Sequence, residues 1–181
     1  MNTAEPGRPL LLWGMMGAGK SAVAREIQSR TTLNVVDLDA VIEHEQGLTP
    51  HQLITDLGIE CFRALEESSL RALLKRGEVD VIALGGGALL DAQFRREVRT
   101  QSVVCSLFAE PSVLVDRLRT TYLQRPLLSG NVEGLEERLT NHIDRRREAY
   151  LDVDFVVDTS ELSLSEIAST LLRMHDVCEA A

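Results

Sequence analysis

Short apolar runs alternate along the chain with longer stretches in which apolar residues recur every three or four positions. Leu10 to Trp13 is such a run, ended by Gly14, and predicts a buried parallel strand entering a turn. A helix is predicted to start at Gly19 or Lys20 and to run to about Arg30. Asn34 to Leu38 reads as a second strand. Helical segments follow near Ala40 to Gln46, Pro50 to Asp56 and Glu60 to Lys75, with Gly58 and Gly77 punctuating them.

Val79 to Leu84 predicts a third strand that runs straight into Gly85-Gly86-Gly87, and Ser102 to Phe108 predicts a fourth, each followed by a helical pattern. Pro111 stands at a first helical position, so a helix to about Arg119 is expected, with Leu114, Val115 and Leu118 on one face. A longer helix is predicted over Glu133 to Tyr150, a fifth strand over Asp154 to Asp158, and an amphipathic helix from Ser163 to about His175. Strands alternating with helices predict an α/β fold whose parallel sheet is joined by right-handed crossovers and covered on both faces.

Length and composition narrow this to one domain. A chain of 181 residues can bury about two thirds of its unfolded surface in a single core. Met1 to Pro9 holds two prolines and a glycine and reads as a loose lead-in. The formal charge of −9 disfavours nucleic acid and anionic membrane as partners, so an anionic ligand must meet locally concentrated positive charge. Cys61, Cys105 and Cys178 lie far apart without metal-type spacing, which fits reduced thiols and a cytoplasmic setting. No apolar stretch approaches the ~20 residues that cross a bilayer, and the start lacks a signal-peptide pattern.

Chemistry enters with Gly14-Met15-Met16-Gly17-Ala18-Gly19-Lys20-Ser21, which matches the phosphate-binding pattern G-x-x-x-x-G-K-[ST]. Gly14, Gly17 and Gly19 let backbone N–H groups turn inward on phosphate oxygens. Lys20 supplies a cation for the β- and γ-phosphates, Ser21 a hydroxyl for Mg²⁺, and the following helix its positive N-terminal end. A strand before the loop and a helix after it are the context that the motif requires. A nucleotide is thus the expected ligand, and Ala22 is a departure where a second hydroxyl often stands.

Asp37 and Asp39 sit at alternate positions at the C-terminal end of the second predicted strand, which sends both to one side at the edge where such sheets bind ligands. One would orient Mg²⁺ through water while the other meets a substrate hydroxyl. Asp39 is also a candidate helix N-cap for Ala40 onward. Asp80 comes too early in its strand to reach that edge.

With this loop, then Asp37-Leu38-Asp39, Cys61-Phe62-Arg63-Ala64-Leu65-Glu66, Leu84-Gly85-Gly86-Gly87-Ala88 and Arg125-Pro126-Leu127-Leu128, the chain resembles shikimate kinases from about Leu10 to Leu172. The resemblance implies a single three-layer P-loop kinase domain over 1–181, of the nucleoside-monophosphate-kinase type. It would have a central five-stranded parallel sheet, a helical substrate-binding segment over about 38–67 and a lid over about 119–134. It implies transfer of the γ-phosphate of ATP, the co-substrate, to the 3-hydroxyl of shikimate, on the route to chorismate and the aromatic amino acids. A monomer is expected by default, since the pattern shows no long heptad or exposed apolar stripe.

By the same resemblance, Asp39 would orient the acceptor hydroxyl, and Asp37 would stand in the outer shell of a Mg²⁺ held by Ser21. The nucleotide would be bound by Gly14, Gly17, Ala18, Gly19, Lys20, Ser21 and Ala22, with Arg125 closing over its β- and γ-phosphates from the lid. Arg63 would grip the acceptor carboxylate, steadied by Glu66 three residues on. Gly85, Gly86 and Gly87 would line the acceptor, and Arg146, four residues before Tyr150, would supply a second arginine. Arg145 and Arg147 are adjacent alternatives for it. Arg117, Arg119 and the segment after Asp158 are adenine neighbours by the same analogy. Ile54, Ile59 and Glu148 depart from the family pattern. A related kinase for another small polyol or acid, such as gluconate, is the nearest rival.

Overall fold

The structure, a computed structural model, describes residues 7–118 and 134–179. Five strands form one parallel sheet: β1 (Leu10–Gly14), β2 (Val35–Asp37), β3 (Val81–Ala83), β4 (Val103–Phe108) and β5 (Phe155–Asp158), in the order β2-β3-β1-β4-β5. Its interior strands are almost wholly apolar, Ser106 of β4 being the polar exception, because both faces are covered. All five residues of β1 and all three of β3 are buried.

The helices are α1 (Lys20–Arg30), α2 (Leu38–Gln46), α3 (Pro50–Leu57), α4 (Ile59–Arg76), α5 (Ala92–Arg99), α6 (Pro111–Leu118), α7 (Leu135–Leu151) and α8 (Leu164–Glu179). The chain moves outward from β1 to β2 and then back across the sheet through β3, β4 and β5. With right-handed crossovers, that reversal puts α1 on one face and the helices between β2 and β5 on the other. α8 joins α1, and the two pack together.

Two strands are shorter than their apolar runs. β2 stops at Asp37 because that side chain accepts the Asp39 N–H and caps α2, which begins at Leu38. β3 begins only at Val81 because Asp80 turns its carboxylate onto the Asn34 N–H at 2.7 Å. Within the predicted lead-in over 1–9, Gly7 to Pro9 are described, and Arg8 is tied down. It pairs with Glu179 at 2.8 Å and donates to Cys178 O, while His175 Nε2 meets Arg8 O at 2.7 Å. The proposed lid over 119–134, with Arg119 and Arg125, lies outside the described residues up to Gly134.

Arg95 knits the far side of the site. It is 5% exposed, donates to Leu89 O at 2.8 Å and Leu90 O at 3.3 Å, and pairs with Asp152 at 2.8 Å just past α7. Asp152 also receives Arg99, which reaches on to Asp154. The segment after the three glycines is thereby fastened to the end of α7. Arg95→Met leaves two carbonyls without their donor, and a loss of about 2–4 kcal/mol is expected in urea unfolding. An unfolding midpoint equal to wild type would show that the network carries no such weight.

Candidate active site

The phosphate loop occupies the tight space between β1 and α1. Gly14 has φ 123°, and an added Cβ would lie 2.2 Å from Leu107 O on β4, so both conformation and room exclude a side chain there. Lys20 folds back over the loop, donating to Gly14 O at 2.9 Å and Met15 O at 3.0 Å. The loop is buttressed from β5 by Thr159, whose hydroxyl lies 3.1 Å from Ala18 O and 2.9 Å from Phe108 O. Arg117 on α6 donates to Thr159 O at 2.6 Å and Thr159 Oγ1 at 3.1 Å.

Ser21 Oγ donates to Asp37 Oδ2 at 2.6 Å, and Asp37 Oδ1 accepts the Asp39 N–H at 3.1 Å. The two aspartates do come together, but not by strand alternation. β2 ends at Asp37, which is itself the N-cap, and Asp39 reaches the site from the first turn of α2. The capping alternative for Asp39 therefore falls to Asp37.

On α4, Arg63 forms an ion pair with Glu66 one turn later, and the Glu66 side chain has no solvent exposure. Its second oxygen, Oε1, is buried without a hydrogen-bond partner among the described residues. Burial pushes the Glu66 carboxyl up to about 7, against the opposing pull of the Arg63 charge and hydrogen bond, while the Asp39 charge raises it further.

The glycine triplet after β3 is where these pieces touch. An added Cβ at Gly85 would lie 2.3 Å from Glu66 Oε1 and 3.4 Å from Asp39 Oδ1. At Gly86 it would lie 3.1 Å from Gly14 O, and at Gly87 2.1 Å from an Arg63 guanidinium nitrogen. Each glycine thus admits a different neighbour. From α7, Tyr150 donates to Gly86 O at 2.9 Å. Of the three adjacent arginines, Arg146 lines the cavity, while Arg145 and Arg147 are exposed and do not.

One cavity of about 840 Å³ gathers most of these groups. It is lined by Gly17 to Ala22, Asp37, Asp39, Arg63, Glu66, the glycine triplet and Arg146. Gly14 adjoins it through Gly86, and Arg125 is outside the described residues. Five cationic side chains, Lys20, Arg25, Arg63, Arg117 and Arg146, face three acids, Asp37, Asp39 and Glu66, which reverses locally the sign of a chain carrying −9 overall. Ile54, a departure from the family pattern, lies in the wall, whereas Ile59 packs against the core.

Sequence reasoning did not single out His51, and it reached Thr159 and Ser163 only as part of the segment after Asp158. His51 and Ser163 line the cavity, and Thr159 supports its floor. For Thr159 the available signal was its place directly after the C-terminal end of β5. His51 follows Pro50 in the first turn of a helix opened by a Thr49–Gln52 capping box, which gave its helix but not its facing.

The shikimate kinase family model matches residues 16–176. The chain belongs to the shikimate kinase family. A shikimate kinase from Geobacter sulfurreducens is 33% identical over 180 residues, covering 97% of this chain and 96% of the relative. One from Thermodesulfovibrio yellowstonii is 30% identical over 167 residues, covering 92% and 94%. The solved structure of shikimate kinase from Acinetobacter baumannii in complex with shikimate aligns with a TM-score of 0.86 at 26% identity, covering 98% of this chain and 97% of that one. The five-stranded parallel sheet is that of shikimate kinase structures.

In this shikimate kinase fold the buried Glu66 makes stability depend on pH. Its carboxyl ionises near pH 7 when folded and near 4.5 when unfolded. Between those values the native chain retains a proton that the unfolded chain releases, so stability falls as pH rises from about 5 to 7. The full swing is on the order of 3 kcal/mol. Urea unfolding at pH 5 and pH 7.5 should show this decline in wild type and a flatter profile in Glu66→Gln. Equal slopes would mean that Glu66 is ionised throughout.

Proposed function

We propose that this chain is an ATP- and Mg²⁺-dependent shikimate kinase, moving the γ-phosphate of ATP to the 3-hydroxyl of shikimate to give shikimate 3-phosphate and ADP. The observation that carries the reading is a single cavity in which a phosphate loop shares a wall, Gly85 to Gly87, with an aspartate and two arginines. Family membership supplies the acceptor. The shared wall supplies the reason why donor and acceptor would meet in line.

The roles follow from each group's chemistry. The loop N–H groups, the N-terminus of α1 and Lys20 would hold the phosphates. Ser21 and Asp37 offer a hydroxyl and a carboxylate oxygen that meet at 2.6 Å on the cavity wall. Such a hard-oxygen pair suits Mg²⁺, which takes few protein ligands and completes its shell with water and phosphate. When bound there, the ion would neutralise charge on the β- and γ-phosphates.

Arg63 and Arg146 would fix the acceptor carboxylate, the Arg63 fork being held by Glu66. Asp39 would then accept a hydrogen bond from the attacking hydroxyl and take its proton as the new P–O bond forms. Glu66, partly protonated near pH 7, would spare the site part of a second negative charge beside Asp39. Arg125 and the 119–134 segment would close over the phosphates and exclude water, as the resemblance implies. A monomer in the cytoplasm is proposed. Three free cysteines and the absence, among the described residues, of any helix long and apolar enough to cross a membrane are in keeping with that setting.

A coupled assay of ADP release with shikimate, gluconate and nucleoside monophosphates tests the reading, and shikimate is expected to be the best acceptor by far. Faster turnover of any other acceptor would overturn it. In the same assay, Asp39→Asn should lower kcat by about 10²–10⁴-fold with the KM for ATP little changed. Wild-type turnover in that variant would remove Asp39 from the proton-accepting role.

A further inference from the structure

Tyr150 does not line the cavity, yet it touches what lies on both sides of it. It stands on α7 one turn after Arg146 and is 8% exposed. Its hydroxyl donates to Gly86 O at 2.9 Å and approaches Met15 Sδ at 3.8 Å, so it contacts the glycine triplet and the phosphate loop together. The ring packs edge-on against the wholly buried Trp13 of β1, with centroids 4.8 Å apart at 65°.

A phenol that donates its one hydrogen keeps lone pairs with which to accept. Arg146 lies one helical turn before that oxygen on the same face of α7, and its charge and hydrogen-bonding reach draw the phenol pKa down. Burial holds the phenol pKa above its ordinary value although the Arg146 and Arg63 charges pull it down, so the hydroxyl stays protonated and keeps donating at working pH. The Tyr150 hydroxyl thus stands between Arg146 and the Gly86 carbonyl to which it donates, and Gly86 lies close to Gly14 O.

We infer that Tyr150 is a positioning residue for the acceptor, its hydroxyl fixing the Arg146 guanidinium at a set distance from the Gly85 to Gly87 backbone. The inference deepens the proposed function and rests on its assignment of Arg146 and the glycines to the acceptor. The i, i+4 spacing gives it a geometric basis, because it stacks Arg146 and Tyr150 on one helix face. Trp13 packs edge-on against the ring, which limits the freedom of the hydroxyl to swing away.

The test is a double-mutant cycle with Tyr150→Phe, which keeps the ring against Trp13 and removes only the hydroxyl. Tyr150→Phe alone should raise the KM for shikimate about tenfold, with the KM for ATP within about twofold. In an Arg146→Ala background, where little is left to position, the same change should add less than about threefold. Trp13 is the only tryptophan in the chain, and its emission reports whether the variant retains native packing. A tenfold effect in both backgrounds would overturn the inference, as would an unchanged KM for shikimate. So would a parallel loss of ATP affinity or of native Trp13 emission, since that is what a purely structural tyrosine would give. Wild-type chain without shikimate-dependent ADP release would instead remove the functional reading, and this inference with it.

Discussion

Gly85, Gly86 and Gly87 let three groups approach the backbone more closely than any side chain would allow. Glu66 comes up to the first, the Gly14 carbonyl to the second and the Arg63 guanidinium to the third. β3 lies next to β1 in the sheet, so the chain leaving β3 runs alongside the chain leaving β1. One run of bare backbone thereby becomes a wall common to the phosphate loop and to the residues assigned to the acceptor. The close approach also sets the other elements. α4 must bring Arg63 and Glu66 to this wall, α2 must bring Asp39, and α7 must bring Tyr150.

Electrostatics follows from the same crowding. Glu66 has no solvent exposure, and the backbone pressed against it removes the water that would favour its charge. It keeps about half of its protons near pH 7 while still bonded to Arg63. Two carboxyls near Gly85 can then divide labour, Asp39 carrying charge and Glu66 holding an arginine. The cationic balance of the cavity depends on this. Were all three lining acids ionised, most of the positive charge facing the ligands would be cancelled.

The sequence carried the local order of the molecule and little of its long-range pairing. Apolar runs, glycines and Pro111 marked every described strand and helix because period and breakers are local properties. The pairing of Arg63 with Glu66 was legible from i, i+3 spacing, but the burial of Glu66 was not, since it depends on glycines some twenty positions on. Asp37 and Asp39 were expected together for the wrong reason. The cap at Asp37 ended the strand and handed Asp39 to a helix. Among Arg145, Arg146 and Arg147 the resemblance favoured Arg146 but left its neighbours open, and the rotation of α7 over the cavity puts Arg146 alone of the three in its lining. Arg95, Thr159 and Tyr150 act on partners 57, 141 and 64 residues away, separations that no local pattern encodes.

The account turns on the wall being bare, and Gly87→Ala probes it most directly. A methyl there must displace the Arg63 guanidinium, which an added Cβ would approach to 2.1 Å, whereas the phosphate loop meets Gly86 instead. Titration calorimetry of ADP and of shikimate against this variant should give near wild-type affinity for ADP and at least about tenfold weaker binding of shikimate. Shikimate affinity equal to wild type would contradict the claim that the glycines set the acceptor site.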